Sequence, residues 1–227
     1  MSWRYPVQKP KLRKLADKIY CLEFNNAYDL SMTFLRYQEY YESPKFREKF
    51  FTISDFMEWY SKKYGDGAFT YPTDYVGFNL PSHVIIPVLK ELRTSEYDMW
   101  TPYDDLMYST VLKIISQQHQ DNKFYLIGVM NPKEDQQTLR HELAHALFST
   151  NSEYQRTMGK LINKLPEQIW RTMKKKLKGR GYANNVYDDE AQAYLATGLH
   201  FTMTSKSMKR AAKPFRKVFE PFRKNIL

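Results

Sequence analysis

The sequence predicts an α+β fold in which helix predominates, and three observations carry that expectation. Apolar side chains recur at helical spacing in most segments of the 227 residues. One short run, 124–129 (FYLIGV), is apolar throughout and bounded by polar residues, as a buried strand is. The composition supports a packed core: 42% hydrophobic, 26% charged and 16% aromatic residues exclude disorder, collagen and a disulfide scaffold. The length allows one ordinary domain or two small ones.

Residues 10–24 read as a first helix after Pro6 and Pro10. Residues 28–41 place Leu30, Phe34 and Leu35 on one helical face, with Pro44 beyond them. Another helical turn or two is expected at 44–51. Ser54 is the expected cap of the next helix, which gathers Phe56, Met57 and Tyr60 and stops at Gly65. Gly, Pro and Asp interleave β-formers over 65–82, which reads as loop and short strand. Helix follows at 82–93 around Pro87, then a loop at 96–105. An amphipathic helix at 106–118 runs through Leu106, Val111, Ile114 and Ile115. After the strand, Asn131, Pro132 and Glu134 supply an N-cap, a first-turn proline and a capping-box acid for a helix reaching about Phe148. Further helices are expected at 152–164, 166–178, 189–201 and 205–220.

The net charge of +10 raises nucleic acid or an anionic surface as a partner. Its distribution is uneven. Residues 205–227 hold eight Lys/Arg and one acid, Glu220, and residues 171–180 hold six basic residues and no acid. The rest of the chain carries 21 basic against 24 acidic residues and is slightly acidic. The tail repeats Pro214-Phe215-Arg216-Lys217 as Pro221-Phe222-Arg223-Lys224, and the two prolines are expected to interrupt a long helix. Phe215, Val218, Phe219 and Phe222 recur between the cations, so the tail has an apolar side to dock on the body, a partner or an anionic surface. No apolar stretch is long enough for a transmembrane helix, and residues 1–20 lack the apolar core of a secretory signal. With a single cysteine, Cys21, the expected location is the cytoplasm of a cell or of an infected host cell.

The segment that carries chemistry is His141-Glu142-Leu143-Ala144-His145, an HExxH. Histidines at i and i+4 share one helical face and can direct both imidazoles at one metal ion, for which zinc is expected. Glu142 points to the side where an activated water would sit and can take its proton. Leu139, Leu143, Ala146 and Leu147 bury the opposite side of that helix. A third ligand must come from elsewhere, among Glu153, Glu167, Asp188, Asp189, Glu190 and His200. Glu153 follows His145 too closely, and Glu167 sits in a lysine-rich neighbourhood. Asp188 is a natural N-cap, which turns Glu190 inward in the first turn with Ala193 and Tyr194. Glu190 is therefore the favoured ligand, with Asp189 and His200 as alternatives. His83 and His119 read as unrelated histidines.

HELAH followed by an acidic ligand on a second helix resembles the zincin-fold metallopeptidases of the gluzincin type, over residues 139–200. The resemblance implies His141, His145 and Glu190 as zinc ligands, Glu142 as general base and a zincin-like core with a substrate-binding edge strand ahead of the motif helix. Residues 124–129 are positioned for that strand. Gluzincins commonly carry a supporting aspartate four residues after the glutamate, where this chain has Tyr194. The expected organisation is a mostly helical region at 1–120 framing the cleft, a zincin-like catalytic region at 121–204 and a basic tail at 205–227. An oxyanion donor is sought among Tyr182, Tyr187, Tyr194 and His200, with Tyr187 or His200 favoured.

Three function classes follow. The first is a zinc peptidase acting on a peptide or protein. The second is a nucleic-acid- or particle-associated structural protein that keeps an inactive HExxH helix. The third is a zinc hydrolase of a non-peptide amide. Basic segments 171–180 and 205–227 are the candidate contacts for nucleic acid or an anionic surface.

Overall fold

Two central strands that are apolar on both sides set the layering. A computed structural model of the chain describes residues 7–43, 45–95, 100–117, 122–133, 135–180, 182–198 and 205–227. Strands β2 (Ile19–Phe24) and β4 (Tyr125–Met130) pair in parallel. Each is flanked by an antiparallel neighbour, β1 (Lys11–Ala16) beside β2 and β3 (Gly77–Pro81) beside β4. The mixed sheet has the order β1-β2-β4-β3.

Alternation along the strands divides the core in two. Tyr20, Leu22, Phe24 and Leu126 join one cluster with Phe34, Phe78 and Ile85. Ile19, Cys21, Tyr125, Ile127 and Val129 join another with Leu143, Ala191 and Phe215. Helices α1 (Ala27–Glu42), α2 (Ile53–Lys63), α3 (Tyr71–Asp74), α4 (Ser82–Thr94) and α5 (Pro102–Ser116) belong with the first cluster. Helices α6 (Gln136–Thr150), α7 (Ser152–Asn163), α8 (Glu167–Gly179), α9 (Tyr187–Thr197) and α10 (Lys206–Lys224) belong with the second. The fold is thus α+β and predominantly helical. Helices on both faces explain why β4 reads as a continuous apolar run. At Gly128 a Cβ would stand 2.4 Å from the Phe34 ring, so glycine lets α1 lie directly on the sheet.

Several expectations need correction. Residues 10–24 form a β1–β2 hairpin, not a helix. Leu12, Leu15, Ile19 and Leu22 imitate a helical stripe, but Ile19–Phe24 is buried on both sides, and Lys18 turns the chain at φ 60°. Residues 45–48 form turns instead of a helix, and the cap of α2 is Thr52, not Ser54. Helix α5 begins within the expected loop at Pro102, where Thr101 and Asp104 close a capping box. Asp135, not Asn131, caps α6, and Glu134 lies outside the described residues. Strand β4 is interior to the sheet, so the edge strand on the α6 side is β3. The sheet also draws β1, β2 and β3 from before residue 120 and β4 from after it.

The tail differs most. Helix α10 runs unbroken through Pro214 and Pro221. Both prolines lie on its exposed side, where the freed carbonyls of the preceding turn reach water. Met208, Ala212, Phe215 and Phe219 lie on the opposite side, at 0–2% exposure, and anchor α10 against α9 and α7. Among the described residues no helix is long and apolar enough to cross a membrane. Cys21 is free and buried, and burial pushes its thiol up to about 12, so it serves as a small core residue. Phe215→Ala is expected to lower unfolding free energy by about 3–5 kcal/mol in urea denaturation. A change below about 1 kcal/mol would mean that α10 is not part of the core.

Candidate metal centre

The site is built where α6 crosses α9 beneath the β3 edge. Asp135 starts α6 by accepting from the Thr138 backbone N–H at 3.0 Å. Leu139, Leu143, Ala146 and Leu147 then fasten that helix into the second cluster. This orientation fixes His141, Glu142 and His145 toward the cleft. A 3-10 turn at Asn184–Val186 leads into α9, which begins at Tyr187 with no side-chain cap, so Asp188 is an exposed residue rather than the cap. Ala191, Ala193 and Ala196 are buried, and these small side chains let α9 approach α6 closely.

Nε2 of His141 and Nε2 of His145 stand 3.4 Å apart, and Nε2 of His145 is 3.8 Å from Glu190 Oε1. One ligand atom from each of His141, His145 and Glu190 can be chosen so that all lie within 4.8 Å, close enough to hold a single metal ion. The other faces of the imidazoles are also accounted for. Thr197 Oγ1 donates to the Ala193 carbonyl at 2.7 Å and lies 3.2 Å from His141 Nδ1, so it accepts from Nδ1–H and leaves the Nε2 lone pair facing the site. His145 Nδ1 is 2.9 Å from Asp189 Oδ1, close enough for an ion pair. Gln192 holds Asp189 in place: its amide donates to Asp189 Oδ1 at 3.0 Å and to the Ala144 carbonyl at 3.2 Å, and its oxygen accepts from Tyr154.

Electrostatics favour a cation at this point. Glu190 is 5% exposed, and its Oε2 is buried with no hydrogen-bond partner. Burial pushes its carboxyl up to about 8, partly offset by His145 and reinforced by Glu42, Asp189 and Glu142. Burial also holds His141 well below the usual histidine range, which keeps it neutral and able to ligate. For His145, burial opposes the charge, but Asp189, Glu190 and Glu142 outweigh it and hold the pKa well above normal. A buried acid that gains protons and an imidazole that keeps one are both compensating for a missing positive charge. The donor set of two imidazoles and one carboxylate suits a divalent ion.

Glu142 is 6% exposed and raised by burial. Asn79 of β3 donates to its Oε2 at 2.6 Å, and Asn79 in turn accepts from the Tyr125 hydroxyl. A Cβ on Gly77 would stand 2.6 Å from Glu142 Oε1, so glycine is what leaves room for the carboxylate. These groups open on a cleft of about 390 Å³ that is also lined by Glu42, Tyr75 and Tyr182. Burial pushes Glu42 up to about 7.

Of the residues expected from sequence, His141, Glu142, His145 and Glu190 meet here. Asp189 stands against the other ring nitrogen of His145, Nδ1, at 2.9 Å. Tyr187 is buried in the second cluster and does not line the cleft, whereas Tyr182 does. Tyr194 packs its ring on His141 at 4.8 Å and receives Arg180 at its hydroxyl. His200 and His119 lie outside the described residues. Glu153 and Glu167 are exposed on α7 and α8, and His83 is exposed on α4. Sequence reading missed Glu42, Gly77 and Asn79. Only Asn79, polar between buried Phe78 and Leu80, left a visible signal.

No protein-family model, curated protein or solved structure matches the chain.

Asp189→Asn and Thr197→Val keep all three candidate ligands but weaken the support behind one imidazole each. Each is expected to lower divalent-metal affinity about 10–100-fold in competition with a chelator. Unchanged affinity in both would contradict the supporting role. Protons compete with metal for Glu190 and His145, whose folded pKa values are raised. Affinity is therefore expected to rise as pH climbs through about 8 and to fall below it, read by the same competition at stepped pH. A flat profile across that range would oppose this assignment.

Proposed function

We propose that this chain is a zinc-dependent peptidase, with His141, His145 and Glu190 as ligands and Glu142 as general base. The observation that carries the reading is the 3.4 Å separation of the two Nε2 atoms beside a buried, unpartnered Glu190 oxygen. A tetrahedral zinc at roughly 2.0–2.1 Å from each nitrogen would set them about 3.3–3.4 Å apart. Two histidines and a glutamate leave one position open, the pattern of a catalytic rather than a structural ion. When bound, zinc supplies a lowered water pKa and a polarised substrate carbonyl.

The chain's own residues do the rest. Glu142, desolvated and oriented by Asn79, accepts a proton from the attacking water and returns it to the leaving nitrogen. Its raised pKa suits both halves of that cycle. Tyr182, the member of the expected tyrosine set that lines the cleft, is the candidate donor to the developing oxyanion. A peptide laid along β3, the edge strand, would bring its carbonyl past Asn79 and Glu142. This strand edge favours a peptide over a small non-peptide amide. The room kept for Glu142 at Gly77 favours a working site over an inactive remnant.

Glu142→Gln is expected to retain one zinc per chain and to lose about 10²–10⁴-fold in cleavage of a mixed peptide library followed by mass spectrometry. Cleavage at the parental rate by this variant would remove Glu142 from the mechanism. Gly77→Ala should also keep its zinc while losing at least tenfold in rate, because the added methyl displaces the carboxylate. Full activity in that variant would mean that Glu142 works from another position.

A further inference from the structure

We propose that the exposed face of α10, with the cationic cavity at its C-terminal end, binds the phosphate backbone of a nucleic acid. At 100° per residue, Lys206, Lys209, Arg210, Lys213, Arg216 and Lys217 fall within an arc of about 120°, and Lys224 returns to its centre. All seven are exposed. They extend over about 27 Å of helix. None is paired with an acid among the described residues. The helix's only acid, Glu220, is occupied by Arg140 at 2.7 Å and Arg223 at 2.8 Å.

A face that only confers solubility would mix signs, since like charges at i, i+3 and i, i+4 destabilise a helix. Here Lys206, Lys209, Arg210, Lys213, Arg216 and Lys217 repel their neighbours along the whole face. Toward the end of α10, Arg223 enters the lining of a cavity of about 280 Å³ together with Lys11, Arg13, Lys133 and Arg140. Arg13 is held there by Glu23 at 2.6 Å, and Arg140 Nε is buried without a partner. Helix α8, which also touches α10, adds exposed Lys175 and Lys178.

The arrangement distinguishes between two anionic partners. A membrane-surface helix needs a free apolar side to insert between headgroups. In α10 that side is spent: Met208, Ala212, Phe215 and Phe219 are buried in the second core cluster. What remains is a row of cations at roughly one per turn or better, which matches a linear polyanion. Contact through phosphates alone carries little sequence preference.

The test uses the full chain and fluorescence anisotropy with a labelled 30-base-pair DNA duplex and an RNA of the same length, across a salt series. Binding is expected to weaken with a log–log salt slope of about −3.5 to −5.5 on DNA, as about four to six phosphate contacts would give. The Lys213→Gln/Arg216→Gln/Lys217→Gln variant changes only exposed positions and should melt like the parent. Its slope is expected to shrink by about three, with at least a tenfold loss in affinity at low salt. Three results would overturn the proposal: no salt-dependent binding to either nucleic acid, parental affinity in the triple variant, or tighter binding to phosphatidylserine vesicles than to nucleic acid at equal salt. None of these readouts depends on zinc or hydrolysis.

Discussion

Four carboxylates and two imidazoles share one largely buried volume at the α6–α9 crossing, and among the described residues no lysine or arginine forms an ion pair with those acids. Glu42, Glu142, Asp189 and Glu190 all interact with His145. Such a concentration of negative charge is unfavourable in a folded interior unless protons or a cation neutralise it. A divalent ion meets that need with the fewest atoms. The surrounding contacts fit such an ion: Thr197 and Asp189 stand behind the imidazoles, Gln192 ties Asp189 to α6, and Asn79 and Gly77 set the place of the Glu142 carboxylate.

The layering brings the two sides of the cleft together. The face of the sheet that carries Ile19, Cys21, Ile127 and Val129 holds α6 between the strands and α9, which fixes its rotation. Burying β2 and β4 on both faces puts α6 on one side and α1 on the other. The last residue of α1, Glu42, still reaches the cleft near the sheet edge. Helix α10 closes the second layer from outside, so the basic segment that looks like a loose tail is structural on one side and free on the other.

How much of this was legible depended on whether the controlling interaction was local. The helices α1, α7 and α8 follow from their own apolar spacing, and His141, Glu142 and His145 from theirs. Glu190 was reachable because it closes an acidic run that opens a helix and is followed by apolar Ala191, Ala193 and Leu195, although the cap assigned to Asp188 is not formed. The β1–β2 hairpin was not, because its stripe fits a helix equally well and only burial on both sides decides it. The passage of α10 through Pro214 and Pro221 was hidden for a similar reason: the prolines are tolerated because they face water, a property of docking rather than of the segment. Asp189 and Tyr187 depended on how α9 rotates after its 3-10 turn, and Gly77 and Asn79 on a strand pairing that brings residue 79 against residue 142.

Zinc K-edge absorption on the purified, zinc-loaded protein addresses the central claim most directly, because it counts the metal and reports its ligands together. The expected spectrum is one zinc per chain with two imidazole nitrogens and oxygen ligands at roughly 2.0–2.2 Å, losing an oxygen ligand or the metal itself in Glu190→Gln. A chain that takes up no stoichiometric zinc, or whose zinc spectrum is unaltered in both His145→Ala and Glu190→Gln, would contradict it.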